Sequence, residues 1–211
     1  MKKHCLITLF ILSCFTSSYS QNIKPYFTIA PDIILGYVNI NQRKDLIDLY
    51  EAKQNAAIKN QLGGTTQVDT MSYDFIKIKL STLTDIEIKL IQNESDTTGI
   101  IVVNKTIQGQ YPESNLAFYT TSWNTIVPET LFEAPVWTDF IRKDTPEAIR
   151  YELMHELAYR NISYELIPQT NQIKVIPSFL NSFSKEAIEK WNSYFDDTPL
   201  IYSWNEGRYV K

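Results

Sequence analysis

Apolar and polar positions follow two periods along this chain, and the switches between them mark its elements. Pro31-Asp32-Ile33-Ile34-Leu35 begins a short helix entered through a proline. Beyond Asn41, a residue suited to an N-cap, Leu46, Leu49, Tyr50 and Ala57 recur at helical spacing. Arg43, Lys44, Asp48 and Glu51 take the opposite face, which predicts an amphipathic helix that Gly63-Gly64 stops. The period then falls to two. Ile76, Ile78 and Leu80 alternate with Lys77 and Lys79, and Ile86, Ile88 and Leu90 alternate with Glu87 and Lys89. These are paired antiparallel strands with one oily and one charged face, and Lys77 or Lys79 can meet Glu87 across the pair. Gly99-Ile100-Ile101-Val102-Val103 is apolar on both faces and predicts a central strand. Leu116 to Thr120 forms a further strand after a turn at Gly109 and Pro112.

Residues 122–144 carry Pro128 and Pro135 and no period, but hold Trp123, Phe132, Trp137 and Phe140. Asp144-Thr145-Pro146-Glu147 then opens a helix with Ile149, Leu153 and Leu157 along one side. A hairpin follows, Ile162 to Leu166 and Ile173 to Val175. Ser184 caps a last helix bearing Ile188, Trp191 and Phe195, and Leu200 to Trp204 ends the pattern in a strand with a turn at Glu206-Gly207. The fold class is α+β: a mainly antiparallel sheet with amphipathic helices on one face. Residues 21–211 form one such domain. Its parts, 21–127 and 128–211, are loosely alike, each running from a helix through Ser72-Tyr73 or Ser163-Tyr164 into strands. A duplicated helix-plus-sheet unit is one reading of that likeness, although residue identities are too few to require it.

The first 20 residues change the picture. Lys2, Lys3 and His4 precede an apolar run from Cys5 to Phe15, and Thr16 to Ser20 is small and polar apart from Tyr19. This is the order of a secretory signal, and the run is shorter than the roughly 20 residues of a membrane span. Ser18 and Ser20 stand at −3 and −1 for cleavage before Gln21. The alternative is Ile11-Leu12-Ser13-Cys14, a loose lipobox that would make Cys14 a lipidated N-terminus and the protein an outer-membrane lipoprotein. Both cysteines lie within the removed segment, so the periplasmic or secreted chain relies on packing and not on disulfides. Loss of Lys2 and Lys3 lowers the 20 basic side chains by two against 24 acidic ones, a net charge of −6. An acidic domain without a basic stripe argues against nucleic acid and anionic membrane as partners.

Several segments together resemble a known family. They are Ala30-Pro31-Asp32, the run from Asn41 to Asp48, Asn60 to Gly64, and Glu113-Ser114-Asn115-Leu116-Ala117-Phe118-Tyr119 with Trp123. The chain resembles, over most of its length, the exported Bacteroidales proteins of Domain of Unknown Function family 3256. Glu113 stands where that pattern has Asp. The resemblance implies a periplasmic or surface location in a Gram-negative anaerobe, and it brings no chemistry with it.

The residues themselves offer little catalysis. His155 follows Glu152 at the spacing of a di-iron ligand pair, but such sites need the motif twice and no second histidine remains after cleavage. A serine elbow and a phosphate-cradling glycine loop are both missing from the sequence. Asp45 and Asp48 could share a helix face, yet Arg43 and Lys44 beside them would hold both ionised. Asp196-Asp197 lacks the alternating acids of a calcium loop. No metal or cofactor is expected. What stands out is aromatic density: Tyr119, Trp123, Trp137 and Phe140 are the candidate surface for a protein or glycan partner. The leading expectation is a non-catalytic envelope binding module; the alternative is a carboxylate-dependent hydrolase acting on glycans.

Overall fold

A computed structural model describes residues 22–92, 99–157 and 160–211; the expected signal segment 1–20, with Cys5, Cys14 and the cleavage point before Gln21, lies outside the described residues. Helix α1 (Ile23–Ile29) comes first, capped by the Asn22 side chain, and buries Ile23 and Phe27 one turn apart. No sequence period announced it, because two buried positions in seven residues are too few to read. Helix α2 (Asp32–Leu35) follows Pro31 as expected. Helix α3 (Ile40–Glu51) differs from expectation at both ends. Its cap is Asn39 and not Asn41: the Asn39 side chain accepts from the Gln42 N–H, and Gln42 Oε1 accepts from the Asn39 N–H. It stops at Glu51, since Ala52 to Asn55 offers no large apolar side chain to hold a further turn on the core. Gly63-Gly64 is therefore the turn of a hairpin joining β1 (Ala57–Lys59) to β2 (Thr65–Met71), with Gly63 at φ 79°.

Arg43 is the second correction. Expected on the solvent face of α3, it is 1% exposed. It lies three and four residues before Leu46 and Ile47, so the helical period places it on the buried side. Its guanidinium fork finds enough oxygens there to stay charged. Nε donates to Val38 O at 2.8 Å, Nη1 to Thr28 O and Ala30 O, and Nη2 to Leu35 O at 3.1 Å and Asp32 Oδ1 at 3.0 Å. One side chain thus ties the three helices together. Burial lowers its pKa from the usual value, and Asp32 opposes that shift.

Strands β3 (Phe75–Ser81), β4 (Thr84–Gln92), β5 (Gly99–Ile107), β6 (Glu113–Thr120) and β7 (Thr125–Ile126) complete a seven-stranded antiparallel sheet in strict chain order with β1 and β2. Lys77 stands opposite Glu87, Nζ to Oε1 2.8 Å, as the alternation predicts. The oily face, including Ile76, Ile78, Ile86, Ile88 and Ile101, packs on α1, α2 and α3.

Helix α4 (Glu147–Glu156) begins after Pro146, two residues beyond the expected Asp144 cap. Strands β8 (Ser163–Ile167), β9 (Gln172–Ile176), β10 (Leu200–Asn205) and β11 (Arg208–Val210) make a second antiparallel sheet in the order β11-β10-β9-β8. Helix α5 (Lys185–Trp191) precedes β10, and the Ser184 hydroxyl accepts from Ala187 N–H as its cap. The irregular stretches hold short 3-10 turns at Pro128–Thr130, Trp137–Phe140 and Ser178–Ser182. One face of the second sheet, with Leu166, Ile173, Val175 and Tyr209, joins Phe75, Ile91, Val102 and Phe118 of the first in a second core. The fold is α+β with two sheets, the larger sheet lying between helices and the smaller sheet.

The charged face of β3 and β4 is consequently covered. Glu87 is 5% and Lys89 2% exposed, and both reach the second sheet. Strand β8 is an edge strand, so its outward main-chain groups need partners. Glu87 Oε2 accepts from Leu166 N–H at 2.9 Å, and Asn104 Nδ2 donates to Tyr164 O at 2.7 Å. Asn104 Nδ2 also donates to Glu87 Oε2, while Lys89 Nζ bridges Asp74 Oδ2 at 2.7 Å and Pro168 O at 2.9 Å. Side chains of one sheet substitute for the missing neighbour strand of the other. The cost is one orphan, Asn104 Oδ1, which has no partner among the described residues.

Candidate binding cleft

The four aromatic residues expected to share a surface are distributed over both cores. Tyr119 and Trp123 are half-buried on the helix-covered side, their rings 5.4 Å apart. Trp123 closes the turn between β6 and β7 at φ 63°, a left-handed conformation that costs a non-glycine residue about 1–2 kcal/mol. The Thr120 hydroxyl, accepting from Ser122 and Asn124 N–H, fastens that turn, and the Trp123 indole N–H is buried without a partner among the described residues. Trp137, 9% exposed, and Phe140 lie in the second core, both against Phe179. Alternation explains the division: Tyr119 projects to the helical face, whereas the 3-10 turn carrying Trp137 and Phe140 packs beside the second sheet.

A neighbouring ring from the same stretch does open onto a hollow. Phe132, with Phe118, Leu116 and Tyr164, lies in a cleft of about 530 Å³ between β6, the 128–134 segment, β8 and β11. Phe118 and Phe132 are buried, 6.4 Å apart, and Phe132 meets Tyr164 and Tyr209 edge-on. Burial pushes the phenols of Tyr164 and Tyr209 above the usual tyrosine value, so both stay neutral hydrogen-bonding groups. The rim is polar: Ser114, Asn115, Glu129, Glu133 and Arg208. Glu129, Glu133 and Arg208 are exposed, and none is in an ion pair among the described residues. Glu133, Ala134 and Arg208 also line a second hollow of about 370 Å³. Only Phe132 was visible in the sequence, as a member of the aromatic stretch; the other walls come from strands far apart in the chain.

A wider hollow of about 690 Å³ lies between α1, α3 and the end of β2, but its charged pair, Lys24 and Glu51, is closed on itself. His155 is exposed on α4 with its ring 4.4 Å from Tyr151. Asp45 and Asp48 are exposed on α3. Asp196 accepts from Thr198 N–H, and hydrogen bonds from Thr198 hold its carboxyl below the usual range. Among the described residues no group of three His, Cys, Asp or Glu side chains could hold a metal ion, and no helix is long and apolar enough to cross a membrane. Glycan hydrolysis through carboxylates needs one acid kept protonated by apolar surroundings. Glu129 and Glu133 are solvated, and Glu87, the one carboxylate buried among the described residues, is filled by Lys77, Asn104 and the Leu166 N–H.

Comparison with known proteins gives the chain its place. The family described as Protein of unknown function (DUF3256) matches residues 15–209. The chain belongs to this family. The DUF3256 match spans both sheets and every wall of the cleft. A solved structure, a domain of an uncharacterized protein from Porphyromonas gingivalis W83, is similar with a TM-score of 0.78. It is 21% identical, and the match covers 89% of this chain and 98% of that one, a likeness that shows a shared fold. No curated protein matches.

Proposed function

We propose that this DUF3256 member is an exported envelope protein, periplasmic or secreted after cleavage near Ser20, that works as a non-catalytic binding module. Its partner is a protein or glycan of the envelope, and nucleic acid is not among its ligands. The observation that carries this reading is the cleft: an aromatic and aliphatic floor, Phe118, Phe132 and Leu116, beneath an exposed rim whose charges form no ion pair among the described residues. The expected surface of Tyr119, Trp123, Trp137 and Phe140 is here replaced by the segment between them, because none of those four residues lines the cleft. The basic, apolar and small-polar order of residues 1–20 is what supports the envelope setting. Anchoring through Cys14 would leave the cleft reading unchanged.

A photo-crosslinking amino acid at Ala134, on the cleft wall, tests this against the same group at Lys44 on the exposed face of α3. The expected result is a discrete adduct, or retention on immobilised envelope glycan, for the Ala134 position alone. Equal yields at both positions would sink the proposal. Shortened glycan products would instead establish the hydrolase.

A further inference from the structure

Among the described residues, 113–117 of β6 have a strand on one side only. Strand β5 pairs with β6 from Glu113 to Thr120, but β7 reaches only Phe118 and Tyr119. The other strand edges are short or covered. Strand β1 has three residues, β8 is met by Glu87 and Asn104, and the Tyr209 N–H of β11 donates to Leu131 O. Exposed edges with free main-chain groups are ordinarily guarded, because they accept any strand.

The direction of the free groups follows from the turn. Thr120 N–H donates to Asn124 O, and Thr120 O accepts from Trp123 N–H, so both main-chain groups of Thr120 face the β7 side. With a period of two, those of Leu116 and Ser114 face the same way, beyond the end of β7. The side chains of Ser114 and Leu116 line the cleft. Free hydrogen-bonding edge and apolar floor are therefore two sides of one slot.

We propose that this slot takes an extended peptide segment of the partner, which adds to the seven-stranded sheet beside Ser114 and Leu116; the inference rests on the binding-module reading. Such a strand forms up to four main-chain hydrogen bonds with these two residues. Its directly opposed side chains fall on the cleft face, so every second residue enters against Leu116, Phe118 and Phe132 and is apolar. Glu129 and Glu133 outnumber Arg208 around the opening, which selects basic side chains next to the apolar ones. A glycan has no amide ladder to offer the edge.

The test is a random dodecapeptide phage library selected on the chain from Gln21. The best peptide is then resynthesised with one backbone N-methyl group at each position in turn. Expected are sequences alternating apolar and basic residues, with affinity by fluorescence anisotropy falling about tenfold for N-methyl groups at alternate positions and unchanged between them. Glu129→Gln with Glu133→Gln should weaken binding severalfold at low salt and little at high salt. Peptides indifferent to N-methylation, or no selected peptide, would overturn the strand inference. If the Ala134 crosslink still forms in that case, the binding module survives and only its mode is wrong; if it too fails, both readings fall. A dimer in sedimentation velocity that dissolves with Ser114→Pro would give the slot to a second copy of the chain and likewise overturn the peptide.

Discussion

The two faces of the seven-stranded sheet are closed by different physics. On one, isoleucines of β3, β4 and β5 meet three helices, and the polar work is concentrated in Arg43, which gathers the carbonyls of Thr28, Ala30, Leu35 and Val38. On the other, Glu87, Lys89 and Asn104 sit within an otherwise aromatic and aliphatic contact and bind the main chain of β8 and Pro168. Apolar packing is tolerant of sliding, because dispersion and water release have little directionality. Hydrogen bonds to alternate residues of β8 are not, since a slip by one residue would turn each outward group away. The helical side is thus fastened through one residue, and the inter-sheet side is fixed in register by three.

The largest expected effect breaks the first face. Arg43→Ala leaves buried carbonyls and Asp32 without their donor and should lower urea-unfolding stability by about 3–5 kcal/mol, with Arg43→Lys recovering only part. A loss below 1 kcal/mol would show that the helices hold without the clamp. Next, Glu87→Ala should cost about 2 kcal/mol and speed amide exchange at Leu166 more than at Ile78, because the lost acceptor serves β8. Uniform acceleration across both sheets would contradict a local register lock.

The smallest effect at neutral pH comes from Tyr209. Its phenol pKa is raised in the fold by burial, so its contribution to stability is complete below the ordinary tyrosine value of about 10 and declines as pH rises beyond it. Tyr209→Phe should change stability by well under 1 kcal/mol at pH 7 and flatten the alkaline limb of the stability profile, by up to about 1.4 kcal/mol per pH unit above 10. An unchanged limb would exclude Tyr209 as its source. Lys77 acts in the same direction. Burial lowers its pKa, but Glu87, with Asp85 and Glu165, outweighs this and raises it, so that contribution too is lost only above the lysine range.

How much of this the sequence discloses depends on whether an element's partner is near in the chain. The alternation of Ile76, Ile78 and Leu80 with Lys77 and Lys79 specifies a strand pair, and its Lys77–Glu87 contact follows from ten residues of separation. The same letters cannot reveal that Glu87 and Lys89 are buried, because their cover is a strand some 79 residues later. Residue type sets Arg43 on the solvent face, whereas its spacing from Leu46 and Ile47 sets it on the buried one. Gly63-Gly64 stops a helix or turns a hairpin equally well, and the weak strands Ala57–Lys59 and Thr65–Met71 decide for the hairpin only once paired. The aromatic stretch runs beside the cleft, but periodicity cannot rank its rings. Phe132 borders the cleft and Phe140 does not, because the 128–134 segment passes β6 while the next turn dives into the core.

Strict chain order in the larger sheet also bears on how the molecule comes into being. Each strand from β1 to β7 pairs with the one made just before it, so little loop-closure entropy opposes its assembly, and the sheet can form while later residues are still being synthesised. Until β8 arrives, one side of that unfinished sheet would face water. Glu87, Lys89 and Asn104 then serve a second purpose: on a half-made protein they keep the waiting surface wet and discourage it from joining another nascent chain, before becoming the bonds that receive its own.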